Sequence, residues 1–84
     1  MDEVQKAVAL KYDPSTMSAP TVVAKGVGEI AKKIVEVARK HGIPVEKNPE
    51  LVDDLLRLDL FTEIPEDLYV VVAEILAFIR RHDR

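Results

Sequence analysis

Pro20-Thr-Val-Val-Ala-Lys-Gly-Val-Gly-Glu-Ile-Ala-Lys-Lys-Ile-Val-Glu-Val-Ala-Arg-Lys-His-Gly-Ile-Pro-Val-Glu46 decides the fold, because its apolar period changes twice. Thr21 to Ala24 is a short β-branched run and reads as a strand. From Val27 the spacing becomes helical, with Val27, Ile30, Ala31, Ile34, Val35 and Ala38 on one face. Gly42 can take the left-handed conformation that ends a helix, and Pro44 cannot continue one, so Ile43 to Glu46 leaves in extended form. Strand, helix and strand in that order predict a βαβ unit with parallel strands and a right-handed crossover.

Working outward, Val4 to Tyr12 alternates. Val4, Lys6, Val8, Leu10 and Tyr12 fall on one side and Gln5, Ala7, Ala9 and Lys11 on the other, the period of a half-buried strand. The proline-bounded loop Asp13 to Pro20 is too short for a parallel crossover, so this strand and the one from Thr21 should be antiparallel neighbours. Met17, the loop's bulky apolar residue, should tuck against the core. Asn48-Pro49 opens a second helix as N-cap and first helical residue, with Leu51, Val52, Leu55, Leu56, Leu58 and Leu60 facing inward. Glu66 and Asp67 begin a third helix that ends in Arg80, Arg81, His82 and Arg84, the charge order a helix dipole favours. Its middle, Leu68 to Ile79, is apolar nearly all round, which predicts a central helix or one touched on two sides. The elements predict an α/β fold in one domain over residues 1–84: a small mixed β-sheet of about three strands, with one βαβ unit, packed with three helices.

Composition excludes several function classes. Cysteine is absent, so no disulfide framework or thiolate metal site is available. The longest apolar run is shorter than a bilayer span, and the N-terminus lacks the basic start of a signal peptide, so a cytoplasmic location is expected. A net charge of −3 with both signs interspersed argues against nucleic acid. Glu29 to Lys33 and Glu36 to Lys40 are spaced as i,i+4 ion pairs on a solvated helix face. Asp53 and Asp54 are adjacent carboxylates that diverge on a helix, and read as surface residues with no metal site.

Gly26-Val-Gly-Glu-Ile-Ala31 matches G-x-G-x-x-G/A between strand and helix, with Glu46 twenty residues beyond the first glycine. That pattern supports an alternative function, a small anion- or nucleotide-binding module using the Gly26-Val27-Gly28 turn. Glu29, however, puts negative charge where a phosphate would lie, and the chain has room for one such unit and not two. His41 and His82 sit at helix ends, where capping carbonyls is the expected role. With no nucleophile–base spacing and no cofactor indicated, the chain reads as a non-enzyme.

Ala7-Val-Ala-Leu-Lys-Tyr-Asp13, Ala19-Pro-Thr-Val-Val-Ala-Lys-Gly26, Ile43-Pro-Val-Glu-Lys-Asn48, Ile64-Pro-Glu-Asp-Leu-Tyr69 and Val72-Ala-Glu-Ile-Leu-Ala77 closely resemble, in order and spacing, the cytosolic domain of the FlhB/YscU-type switch proteins of type III and flagellar export. The resemblance implies a small α/β domain that hangs beneath a membrane-embedded export gate and helps change the class of exported substrate. The family carries Asn-Pro-Thr-His before its first strand here and cleaves itself between Asn and Pro; the aligned residues are Asp2, Glu3, Val4 and Gln5, and none matches. On this reading no transmembrane region is expected before the domain, nor a counterpart of the strand that the family places before the cleavage loop. The resemblance therefore implies a stand-alone, non-cleaving relative that binds an export-gate membrane protein or export substrates, without inserting in the membrane. A third reading is a general protein-interaction scaffold outside secretion. The expected interaction residues are Val4, Lys6, Val8 and Lys11 along the strand, with Asp13, Ala19, Pro20, Lys25 and Gly26 from the motifs that follow. The exposed strand edge also allows self-association.

Overall fold

A computed structural model describes the backbone of residues 4–82 and the side chains of residues 4–75. Two strands and three helices follow in the order β1 (Lys6–Lys11), β2 (Thr21–Val27), α1 (Glu29–Lys40), α2 (Pro49–Leu56) and α3 (Glu66–His82). β1 and β2 pair antiparallel, as the short loop between them requires, with Ala7 opposite Gly26 and Val8 opposite Lys25. The register shifts between Ala9, opposite Ala24, and Leu10, opposite Val22, so Val23 is an extra residue in β2. This bulge turns Val22 to the same side as Lys25, which the unbroken alternation of the sequence would not allow.

The two sheet faces carry different side chains. One presents Ala7, Ala9, Ala24 and Gly26, all small, and α1 lies against it with Ala31 fully buried. A Cβ at Gly26 would lie 2.7 Å from Cβ of Ile30, so only glycine lets the helix leave the strand this steeply. The other face presents Val8, Leu10 and Val22 to α2 and α3, where Val22, Leu51, Leu55, Ile64 and Val72 form the core, joined by Leu58, Leu68, Tyr69 and Ile75.

Local signals act where the sequence put them. Asn48 Oδ1 accepts the Leu51 N–H at 3.1 Å, with Pro49 at the first helical position. At the end of α1, Gly42 (φ 70°) donates to the Arg39 carbonyl and Ile43 to the Ala38 carbonyl, a Schellman closure. Met17 is half-buried. The three valines 70–72 lie in α3, where tertiary packing of Val72 outweighs their strand propensity.

Four expectations are corrected. Residues 43–48 form no regular element among the described residues, and Ile43 and Val45 are exposed. The second neighbour of β2 is instead the segment 61–64. Phe61 donates to the Val22 carbonyl at 2.6 Å, Val22 to Thr62 at 3.1 Å and Ile64 to Pro20 at 2.9 Å, with an antiparallel bridge between Thr21 and Glu63. The sheet is therefore antiparallel and two-stranded among the described residues, without a βαβ unit, because β2's second edge is taken where it begins. Leu60 is exposed rather than inward, since α2 ends before it at Leu56. In the described part of α3, through Ile75, the apolar residues Val70 and Val71 face solvent and the packing runs through the Leu68, Val72 and Ile75 stripe, so this part is covered on one side; the side chains of residues 76–79 lie outside the described residues. The Glu29–Lys33 and Glu36–Lys40 pairs are not closed: Lys6–Asp53 is the one ion pair among the described residues. Long exposed side chains lose more entropy on pairing than a screened contact returns. The Arg80, Arg81, His82 and Arg84 side chains lie outside the described residues, as do Asp2 and Glu3.

Candidate functional site

One hydrogen bond sets the polarity of the sheet edge. The Gly28 N–H donates to the Gln5 carbonyl at 2.7 Å. Antiparallel partners alternate between exchanging two bonds and exchanging none. Gln5, Ala7 and Ala9 thus aim their backbone groups at β2, and Lys6, Val8 and Leu10 aim theirs away. Among the described residues no backbone bond reaches that outer side of β1, so the strand presents an open row of donors and acceptors.

Its side chains are anchored from one face. Lys6 Nζ lies 2.8 Å from Asp53 Oδ1 on α2, Val8 and Leu10 pack on the core, and the Tyr12 and Tyr69 hydroxyls are 2.8 Å apart. Lysines at an edge commonly keep other strands away. Here the Lys6 ammonium is drawn over α2, and Lys11 remains exposed at the far end. Val4, 62% exposed, extends the apolar character beyond the strand.

The remaining expected residues have other placements. Asp13 organises the loop: its carboxylate accepts the Ser15 N–H at 3.0 Å and the Ser15 hydroxyl at 2.7 Å, and its carbonyl accepts the Thr16 and Met17 amides. The Ser15 side-chain and backbone bonds hold its pKa below the usual carboxylate value. Ala19 and Pro20 are buried. Lys25 donates to the carbonyls of Leu56, at 3.2 Å, and Leu58, neutralising the C-terminal end of α2. Gly26 is the close-approach point beneath Ile30. The edge thus gathers Val4, Lys6 and Val8 and adds the backbone of Leu10, while Lys11, opposite Thr21, turns its backbone toward β2 and the other residues stand in the frame behind.

The Gly26-Val27-Gly28 turn has the geometry of a strand-to-helix corner. Its Lys25 is committed to α2, its Gly28 N–H to Gln5, and Glu29 occupies the first helical turn. Asp53 and Asp54 are both exposed, and His41 is the C-cap residue of α1. No group of three potential metal ligands occurs among the described residues. Two surface hollows, of about 120 Å³ between α2 and α3 and about 280 Å³ beside Tyr69 and Val70, are open to solvent.

The family model described as the FlhB HrpN YscU SpaS family matches residues 4–79. The chain belongs to this family. It is 42% identical over 80 residues to the uncharacterized protein YlqH of Bacillus subtilis (strain 168), covering 95% of this chain and 86% of YlqH. It is 49% identical over 74 residues to the flagellar biosynthetic protein FlhB of Aquifex aeolicus (strain VF5), covering 87% of this chain and 21% of that protein. The chain therefore spans about a fifth of that FlhB and most of YlqH. Among solved structures, the cytoplasmic domain of FlhB from Shewanella putrefaciens superposes with a TM-score of 0.87 at 40% identity, covering 93% of this chain and 66% of that one. The α/β fold with three helices is thus the FlhB cytoplasmic-domain fold. Among the described residues no helix is long and apolar enough to cross a membrane.

Proposed function

We propose that this FlhB-family chain acts by binding and not by self-cleavage, at the cytosolic face of a type III or flagellar export apparatus. The observation that carries this reading is the open edge of β1, where Lys6, Val8 and Leu10 direct backbone groups outward. Strand addition at such an edge supplies main-chain hydrogen bonds from a partner, with side-chain pockets adding specificity. The partner is an export-gate membrane protein of the family or an extended segment of an export substrate. Similarity over 86% of YlqH supports reading the chain as a short relative of the switch domain. Replacement of Asn-Pro-Thr-His by Asp2, Glu3, Val4 and Gln5 supports the absence of cleavage.

The test uses a gate protein truncated before its cytoplasmic domain, co-expressed with this chain. A stable complex and restored export are expected. Lys6→Pro, which removes an outward N–H, should abolish the complex, whereas Lys6→Ala, which removes only the exposed ion pair, should retain it. Absence of a complex with the unaltered chain, or equal loss in both variants, sinks the edge-binding reading. An internal cut seen by intact mass after prolonged incubation would sink the non-cleaving one.

A further inference from the structure

Away from the β1 edge, α1 carries an apolar row that the sheet does not cover. Ile30, Ile34 and Val37 follow at intervals of four and three, the spacing of a two-helix seam, and the C-cap residue His41 stands four positions beyond Val37. Ile30 is 61% exposed, Val37 42% exposed and Ile34 half-buried, while Ala31 beside them is turned fully into the sheet. The cause is a mismatch of widths. At about 100° per residue the apolar arc from Val37 round to Val35 covers about 160°, wider than the ~100° stripe that one packed layer needs. Two strands spaced ~4.8 Å apart are no broader than one helix, so they bury the middle of this arc and leave its Val37–Ile30 shoulder in solvent.

The border of the shoulder says what fits it. Lys33 and Lys40, one heptad apart, precede Ile34 and His41 and so line its free side, and both are exposed and outside any ion pair among the described residues. Glu29 and Glu36 lie one row further out. An antiparallel second copy of α1 would set lysine against lysine across the seam, and a parallel copy would set lysine against Ala31 and Ala38, which face the sheet. We infer that the Ile30–Ile34–Val37 row of α1 is a docking surface for an amphipathic helix of another protein, apolar along one seam and acidic on the flank that meets Lys33 and Lys40. Apolar burial would supply affinity, and the lysines would select the partner and its direction.

The probe is a labelled three-heptad peptide with leucine at its seam positions and glutamate on both flanks, compared with the same peptide carrying lysine on the flanks. The unaltered protein should bind the glutamate peptide, more weakly as salt rises, and reject the lysine peptide. Val37→Glu, exposed and hence compatible with folding as checked by circular dichroism, should weaken binding by about tenfold or more. Lys33→Glu with Lys40→Glu should reverse the preference between the peptides. Lys6→Pro, at the separate β1 edge, should leave peptide binding unchanged. The inference is overturned by no binding, by equal binding of the two peptides, or by indifference to Val37→Glu. It is equally overturned if sedimentation shows a dimer that Val37→Glu dissolves, which would assign the row to a second copy.

Discussion

The hydroxyls of Tyr12 and Tyr69 lie 2.8 Å apart, with ring centroids at 5.9 Å and planes at 63°. The pair ties the residue after β1 to the second turn of α3, elements 57 positions apart in the chain. It fastens the candidate binding strand to α3. Tyr69→Phe keeps the edge-to-face ring contact and deletes the hydrogen bond. Its expected cost is about 0.5–1.5 kcal/mol in chemical denaturation, with an unchanged denaturant slope.

Gly26 tests the close approach of α1 to the sheet. A methyl group there meets Ile30 at its Cβ, an atom that no rotamer change can move away. Gly26→Ala should therefore destabilise by roughly 1–3 kcal/mol, the range of overpacking. Thermal melts of this variant and of Ile30→Ala should differ in kind. Ile30 is largely exposed, so its truncation should cost little, and the double variant should not recover the loss because Cβ remains.

Phe61 takes φ 65° and is 74% exposed. The left-handed region costs a side chain with a Cβ about 1–2 kcal/mol, while glycine brings an entropic penalty of about 0.5–1 kcal/mol. Phe61→Gly should consequently raise stability by roughly 0.5–1 kcal/mol. A melt showing clear destabilisation would mean that the ring contributes packing that its exposure does not indicate.

Asp13 gives the pH dependence of the β1–β2 loop. Its pKa is lowered from 3.8 by the Ser15 hydroxyl and amide. A depressed carboxylate pKa adds stability that is present above the unfolded value and is lost as pH falls through the folded one. The loop should accordingly keep its order at neutral pH and loosen only below about 3.8. An NMR titration of Asp13 should give a midpoint below that value in the unaltered chain, moving up toward it in Ser15→Ala. An unchanged midpoint in Ser15→Ala would remove the Ser15 hydroxyl as a cause and leave the amide.

Sequence alone determined what depends on near neighbours in the chain. The Asn48 cap, the Gly42 stop, the two faces of β1 and the antiparallel sense forced by a short loop were all legible, as were the family's motifs. The alternation that sets Val4, Lys6 and Val8 on one side of β1 and Lys11 on the other was legible too. Tertiary structure decided what depends on which surface is left to pair with. Ile43 to Glu46 has the residues of a strand but does not pair with β2, whose second edge residues 61–64 take where it begins. The outward aim of the Lys6, Val8 and Leu10 backbone needed the register of β1 against β2, which alternation within β1 does not fix. The exposure of Ile30 and Val37 needed the width of the sheet opposite them. Period and capping are properties of a few consecutive residues, whereas hydrogen-bond edges and burial belong to pairs of surfaces, and those exist only once the chain has folded.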